Sequence, residues 1–126
     1  MFKIKIQNKI EIGKQVEVIE EDFGGEVKVI NGKVLLRYQN ANDEKVLIKF
    51  DDIELSMTRY ANQPVIMRFN KLNETVTSYE GLGLLSIMTT EYKPRLNEKC
   101  IALSYQLLQN ETKIAHYQLE INWKEI

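Results

Sequence analysis

The sequence predicts an all-β fold: a single antiparallel up-and-down β-barrel of about nine to eleven strands, occupying residues 1–126 as one domain. Three observations predict it. Apolar residues recur at every second position along nearly the whole chain, the period of a strand with one buried face. Turn-forming residues separate those runs, above all Asn31-Gly32, where both central residues of a tight hairpin need positive φ. Parity across the turns keeps apolar opposite apolar, which a slip of one residue would destroy.

The elements follow in order. Phe2, Ile4, Ile6, Ile10 and Ile12 share a face, with Lys3, Lys5, Lys9 and Glu11 on the other, and Val16 and Val18 continue the apolar row. Glu20 to Glu26 is read as a solvated bend or bulge around Phe23-Gly24-Gly25. A two-residue loop at Asn31-Gly32 pairs Ile30 with Lys33, Val29 with Val34, Val27 with Leu36 and Gly25 with Tyr38. A two-residue loop at Asp51-Asp52 pairs Phe50 with Ile53, Ile48 with Leu55, Val46 with Met57 and Glu44 with Arg59. The loop from Tyr60 to Pro64 sets Met57 opposite Met67 and Leu55 opposite Phe69. Leu85 and Ile87 belong to a later strand. The closing hairpin turns near Asn110 with Gln109 opposite Lys113, and sets Tyr105 opposite Tyr117, Leu103 opposite Leu119, Ile101 opposite Ile121 and Cys100 opposite Asn122. Such a meander has one apolar face to cover and two edges to hide. Closing into a barrel does both, and a two-sheet sandwich is the competing architecture.

Composition narrows the function. A chain of 126 residues buries roughly 65–70 % of its unfolded surface, enough for a core without disulfides. Seventeen Lys and Arg against eighteen Asp and Glu leave a net charge of −1, without the basic surplus of a general nucleic-acid binder. One cysteine and one histidine exclude the usual zinc constellations and suit a reducing compartment. The opening residues alternate charge with hydrophobe, unlike a signal peptide. The longest uncharged stretch, Cys100 to Asn110, falls far short of the ~20 residues that span a bilayer. A cytoplasmic protein is expected. The sequons at Asn73 and Asn110 are then polar turns rather than glycosylation sites.

Leu55-Ser56-Met57-Thr58-Arg59, Val65-Ile66-Met67-Arg68-Phe69 and Ser78-Tyr79-Glu80-Gly81-Leu82-Gly83 occur in order, followed by the hairpin from Leu103-Ser104-Tyr105 through Glu120-Ile121. Together they resemble the YwiB-like family of small, uncharacterised firmicute proteins with a calycin, or lipocalin-like, β-barrel. The resemblance is best from about Val34 onward and implies the barrel, a bacterial cytoplasmic origin and no established activity. By analogy with other calycin-like barrels it suggests a small apolar ligand.

Few residues invite chemistry. Cys100 and His116 could form a thiol–imidazole pair only within hydrogen-bond reach, and the hairpin register separates them by roughly 20 Å. Asp51-Asp52 and Glu20-Glu21-Asp22 are read as turn and bend residues rather than metal sites. Gly81-Leu82-Gly83 lacks the Lys-Ser/Thr of a phosphate loop and is read as a corner. Lys3, Lys5 and Lys9 form a basic stripe without aromatics, read as guarding a strand edge rather than binding nucleic acid. Arg59 stands out, because its parity points it to the apolar face at a strand end. It either receives a ligand's carboxylate or phosphate or pairs with Glu44. Met57, Met67 and Met88 with Tyr38, Tyr105 and Tyr117 are candidate linings of a pliable cavity. No cofactor is implied. The leading expectation is a binding module for a small, partly apolar ligand that can carry an anionic group, acting as a monomer or weak homodimer without nucleic acid or membrane partners. The alternative is an interaction protein that docks a partner on an outer sheet face or edge, and an enzyme ranks behind both.

Overall fold

The computed structural model describes residues 1–79 and 81–126, so Glu80 of the motif above lies outside the described residues. The strands are β1 (Phe2–Ile12), β2 (Gln15–Ile30), β3 (Lys33–Gln39), β4 (Lys45–Phe50), β5 (Glu54–Tyr60), β6 (Pro64–Asn70), β7 (Thr75–Tyr79), β8 (Gly83–Arg95), β9 (Cys100–Gln109) and β10 (Thr112–Glu125). A single 3₁₀ turn, Leu96–Glu98, is the one helical element among the described residues. Hydrogen-bonded neighbours run β6-β5-β4-β3-β2-β1-β10-β9-β8-β7. This is an up-and-down antiparallel sheet curled into a nearly closed barrel. Its first and last strands pair along their length, from Phe2 opposite Glu125 to Glu11 opposite His116. The ladder is interrupted instead between β6 and β7, consecutive in the chain. There the Thr75 hydroxyl donates to the Arg68 carbonyl and the Thr77 hydroxyl donates to the Ile66 carbonyl at 3.3 Å. Two threonine side chains thus take edge carbonyls that a backbone ladder would otherwise satisfy.

Most registers follow the sequence parity. Gly25 faces Tyr38, Val27 faces Leu36 and Val29 faces Val34. Met57 faces Met67 and Leu55 faces Phe69. Tyr105 faces Tyr117, Leu103 faces Leu119 and Cys100 faces Asn122. Positive φ at Asn31 (51°) and Gly32 (77°) gives the tight turn that Asn-Gly favours.

Five expectations are corrected. The loop after β4 is longer than Asp51-Asp52. The Asp51 carboxylate accepts the N–H groups of Ile53 (2.9 Å) and Glu54 (3.0 Å), folding a side-chain turn that carries the chain to Glu54. Phe50 therefore faces Leu55, Ile48 faces Met57 and Val46 faces Arg59. The shift is two residues, so the core face survives. At the last hairpin Gln109 faces Thr112, not Lys113, across a turn with positive φ at Asn110 and Glu111. A bulge between Lys113 and Ala115 then absorbs one residue and restores the expected pairs. Val16 and Val18 do not continue the inner row. The Gly13-Lys14 turn sets them opposite Glu11 and Lys9, on the outer face, while Ile19 and Phe23 point inward. Glu20 to Glu26 is no bend, because β2 runs through it unbroken. Lys3, Lys5 and Lys9 guard no edge, since β1 lies between β2 and β10. They form ion pairs with Asp22 (3.7 Å), Glu20 (3.2 Å) and Glu11 (3.6 Å) respectively.

The interior divides along the barrel axis. At one end Ile4, Leu36, Ile48, Phe50, Leu55, Ile121 and Trp123 fill the cross-section, with Phe50 and Trp123 in tilted contact at 5.8 Å. The Tyr92 hydroxyl closes that end by donating to the Asp51 carbonyl at 2.8 Å. The other end is left partly open.

Candidate functional site

The open end is a cavity of about 420 Å³, within the size range of small-molecule sites. Its position follows from the strand pattern. The inner rows of β1, β3, β4, β5, β6, β9 and β10 each contribute one or two residues beyond the filled end. Ile6, Tyr38, Val46, Phe69 and Leu119 form apolar wall, with Met57 and Met67 facing each other across the β5–β6 pair. Phe23 stacks on Tyr38 at 4.6 Å, and Tyr105 stacks on Tyr117 at 4.7 Å with nearly parallel rings. Phe69 leans on Tyr105 at 4.5 Å, and the Tyr79 hydroxyl approaches the Met67 sulfur at 3.7 Å. Burial pushes the Tyr38 and Tyr105 hydroxyls well above the usual tyrosine range, so both stay neutral and can donate or accept.

All six residues singled out from the sequence, Arg59, Tyr38, Met57, Met67, Tyr105 and Tyr117, line this one cavity. Met88 does not. It faces Gln106 on the outer side of β8, because Leu85 and Ile87 take the inward parity. Arg59 sits at the mouth with its side chain 48 % exposed, and its Nε lies 3.8 Å from a Glu44 carboxylate oxygen. The pair forms diagonally, since Arg59 is directly opposite Val46. Asn40 anchors Glu44 by donating to its carboxylate at 3.1 Å, and Glu21 supplies a carboxylate to the lining itself. Such a half-exposed pair contributes little. Arg59→Met should change stability by about 1 kcal/mol or less in urea unfolding. A loss of several kcal/mol would mean that the guanidinium holds the mouth together.

Asn8 was missed. It occupies the inner row of β1 between Ile6 and Ile10, opposite Ile19 and Leu119, and lines the cavity. The only sequence signal is its interruption of an otherwise apolar alternation.

The remaining candidates stay apart. His116 lies 3.7 Å from Glu11 on the outer face and faces Gln106, whereas Cys100 is buried opposite Asn122. Burial pushes the Cys100 thiol up, away from the reactive thiolate. The Asp51 carboxyl is held below its usual range by the Glu54 and Ile53 N–H groups and is committed to its turn. Gly81 and Gly83 have positive φ and form the β7–β8 corner. Among the described residues no group of three or more His, Cys, Asp or Glu could hold a metal.

Domain of unknown function (DUF1934) matches residues 4–121. The chain belongs to the DUF1934 family. Among solved structures it is similar to the crystal structure of the YwiB protein from Bacillus subtilis. That match has a TM-score of 0.76 at 20 % identity and covers 98 % of this chain and 92 % of that one. At that identity the likeness speaks for the fold, and it agrees with the calycin-like barrel that the motifs implied. No curated protein matches the chain. No helix among the described residues is long and apolar enough to cross a membrane.

Proposed function

We propose that this DUF1934 protein is a binding module that holds a small, partly apolar ligand in the open end of its barrel. One observation carries the reading: a cavity of about 420 Å³ walled by stacked aromatic rings and two methionines, with polar groups confined to a few positions. Apolar walls supply affinity, and sparse polar groups supply orientation. Methionine lets the wall adapt to the ligand's shape. Arg59 at the mouth would meet an acidic substituent that reaches solvent, in competition with Glu44. The single cysteine supports a reducing, cytoplasmic setting.

Native mass spectrometry of the protein purified from its own cells tests this. A retained small molecule, lost on unfolding, is the expected result. Its absence, together with failure of apolar fluorescent probes to bind, would overturn the proposal. Replacing His116→Gln and Cys100→Ala together should leave folding and probe binding unchanged, because neither residue lines the cavity. A loss of binding in a variant of normal stability would place the ligand elsewhere.

A second reading, docking of a partner protein, rests on the β1–β2 hairpin. Residues 15–24 of β2 have a ladder partner only on the β1 side among the described residues, and Val16 and Val18 are exposed beside them. Sedimentation velocity separates the cases for self-association: a dimer that Val16→Lys with Val18→Lys dissolves would favour it.

A further inference from the structure

The cavity wall contains one polar side chain that nothing in the fold explains. Asn8 replaces an aliphatic residue in the inner row of β1, where Ile4, Ile6 and Ile10 are its neighbours. Its side-chain carbonyl oxygen is buried and has no hydrogen-bond partner among the described residues. An amide has both donors and an acceptor to satisfy. The Asn8 side chain lies near the Tyr105 hydroxyl, and it is the Oδ1 acceptor that stays without a partner among the described residues. A buried acceptor without a donor costs folding free energy that an apolar residue at the same place would not. Strand packing gives no reason for it, since the cross-strand partners are Ile19 and Leu119.

The surroundings limit what could bring the missing donor. Of the charged groups of the lining, Arg59 at the mouth is already answered by Glu44, and Glu21 stands opposite Ile6, the inner-row neighbour of Asn8. Directly across from Asn8 the strands present Ile19 and Leu119, so a ligand group that reaches Oδ1 packs among aliphatic side chains. Two stacked ring pairs, Phe23–Tyr38 and Tyr105–Tyr117, offer flat surfaces of the kind aromatic molecules pack against. We propose that Asn8 determines the specificity of this cavity, and that its ligand is a flat aromatic molecule carrying an O–H or N–H group that donates to the Asn8 side-chain oxygen. The inference rests on the cavity being the binding site and goes beyond it by naming the ligand's chemistry.

The test compares 2-naphthol with 2-methylnaphthalene, which differ by a hydroxyl in place of a methyl group. Both are titrated into the full chain and into Asn8→Leu, with Asn8→Val made in parallel should leucine not be accommodated in the row. Taking the ratio of the two affinities within each protein, then comparing proteins, removes the difference in transfer from water. The expected result is a preference for 2-naphthol at least about tenfold greater in the wild-type chain than in the variant, the effect of one hydrogen bond to an otherwise unpaired buried group. The variant should still bind 2-methylnaphthalene. Equal ratios in both proteins would overturn the role of Asn8 and leave the cavity reading standing, with solvent serving the amide. Failure of both probes to bind the wild-type chain would overturn the cavity reading and this inference together.

Discussion

Gly25→Ala should cost about 3 kcal/mol, near the upper end for overpacking a well-filled interior. Gly25 lies inside β2, facing Phe2 on one side and Tyr38 on the other. A Cβ built there would run into the Arg37 backbone carbonyl, come within 2.8 Å of Ile4 Cδ1 and 3.1 Å of Tyr38 Cβ. The carbonyl belongs to the neighbouring strand and cannot step aside like a side-chain tip. The β2–β3 ladder must therefore spread, and with it the Phe23–Tyr38 stack at the cavity wall. The adjacent Gly24 is the internal control. Only the Met1 sulfur comes near its added Cβ, at 3.7 Å, so Gly24→Ala should change stability by less than about 1 kcal/mol. Urea unfolding of the two variants decides the matter, and equal stabilities would mean that the β2–β3 crossing is looser than described.

Gly25 also marks how far the fold was legible. The sequence paired it with Tyr38 through parity counted from Asn31-Gly32, and that pairing holds. Parity reads well because each strand has one buried face, and a slip would expose it. Loop length reads poorly. Asp51 spends its carboxylate on two backbone N–H groups, and that choice adds two residues to the turn without changing the face. Alternation alone cannot detect a shift of two. Nor could it tell the faces of a hairpin apart at Gly13-Lys14, where Val16 and Val18 suit either side by composition and the turn sends them outward. The pairing of β1 with β10 joins the two ends of the chain, and no local pattern encodes it. At the cavity the apolar lining was legible, because inward parity and residue type agree for Tyr38, Met57, Met67, Tyr105 and Tyr117. Asn8 was not, because a reading that searches for alternating hydrophobes passes over the residue that breaks the row.

Filling the cavity should separate binding from folding. In Met57→Trp with Met67→Trp, the two indoles replace side chains that face each other across β5 and β6 and border the open end. At about 420 Å³ the cavity is near the small end of ligand sites, so two larger rings leave too little room for a second aromatic molecule. Probe affinity should fall at least about thirtyfold, a change of ~2 kcal/mol in binding free energy. Stability should move much less. Both methionines are only partly buried, and the new rings grow into existing space rather than into packed neighbours. The packed end around Phe50 and Trp123 lies beyond their reach along the barrel axis. Thermal unfolding and probe titration on the same sample give both numbers. Undiminished binding in a folded double variant would mean that the probes sit outside the barrel, on the exposed hairpin or an outer face. A collapse in stability would instead mean that the open end is as tightly packed as the closed one. Strand pairing across β5–β6 is unaffected by either substitution, since tryptophan suits a β-strand at least as well as methionine. The experiment therefore reads the space between the strands rather than the strands themselves.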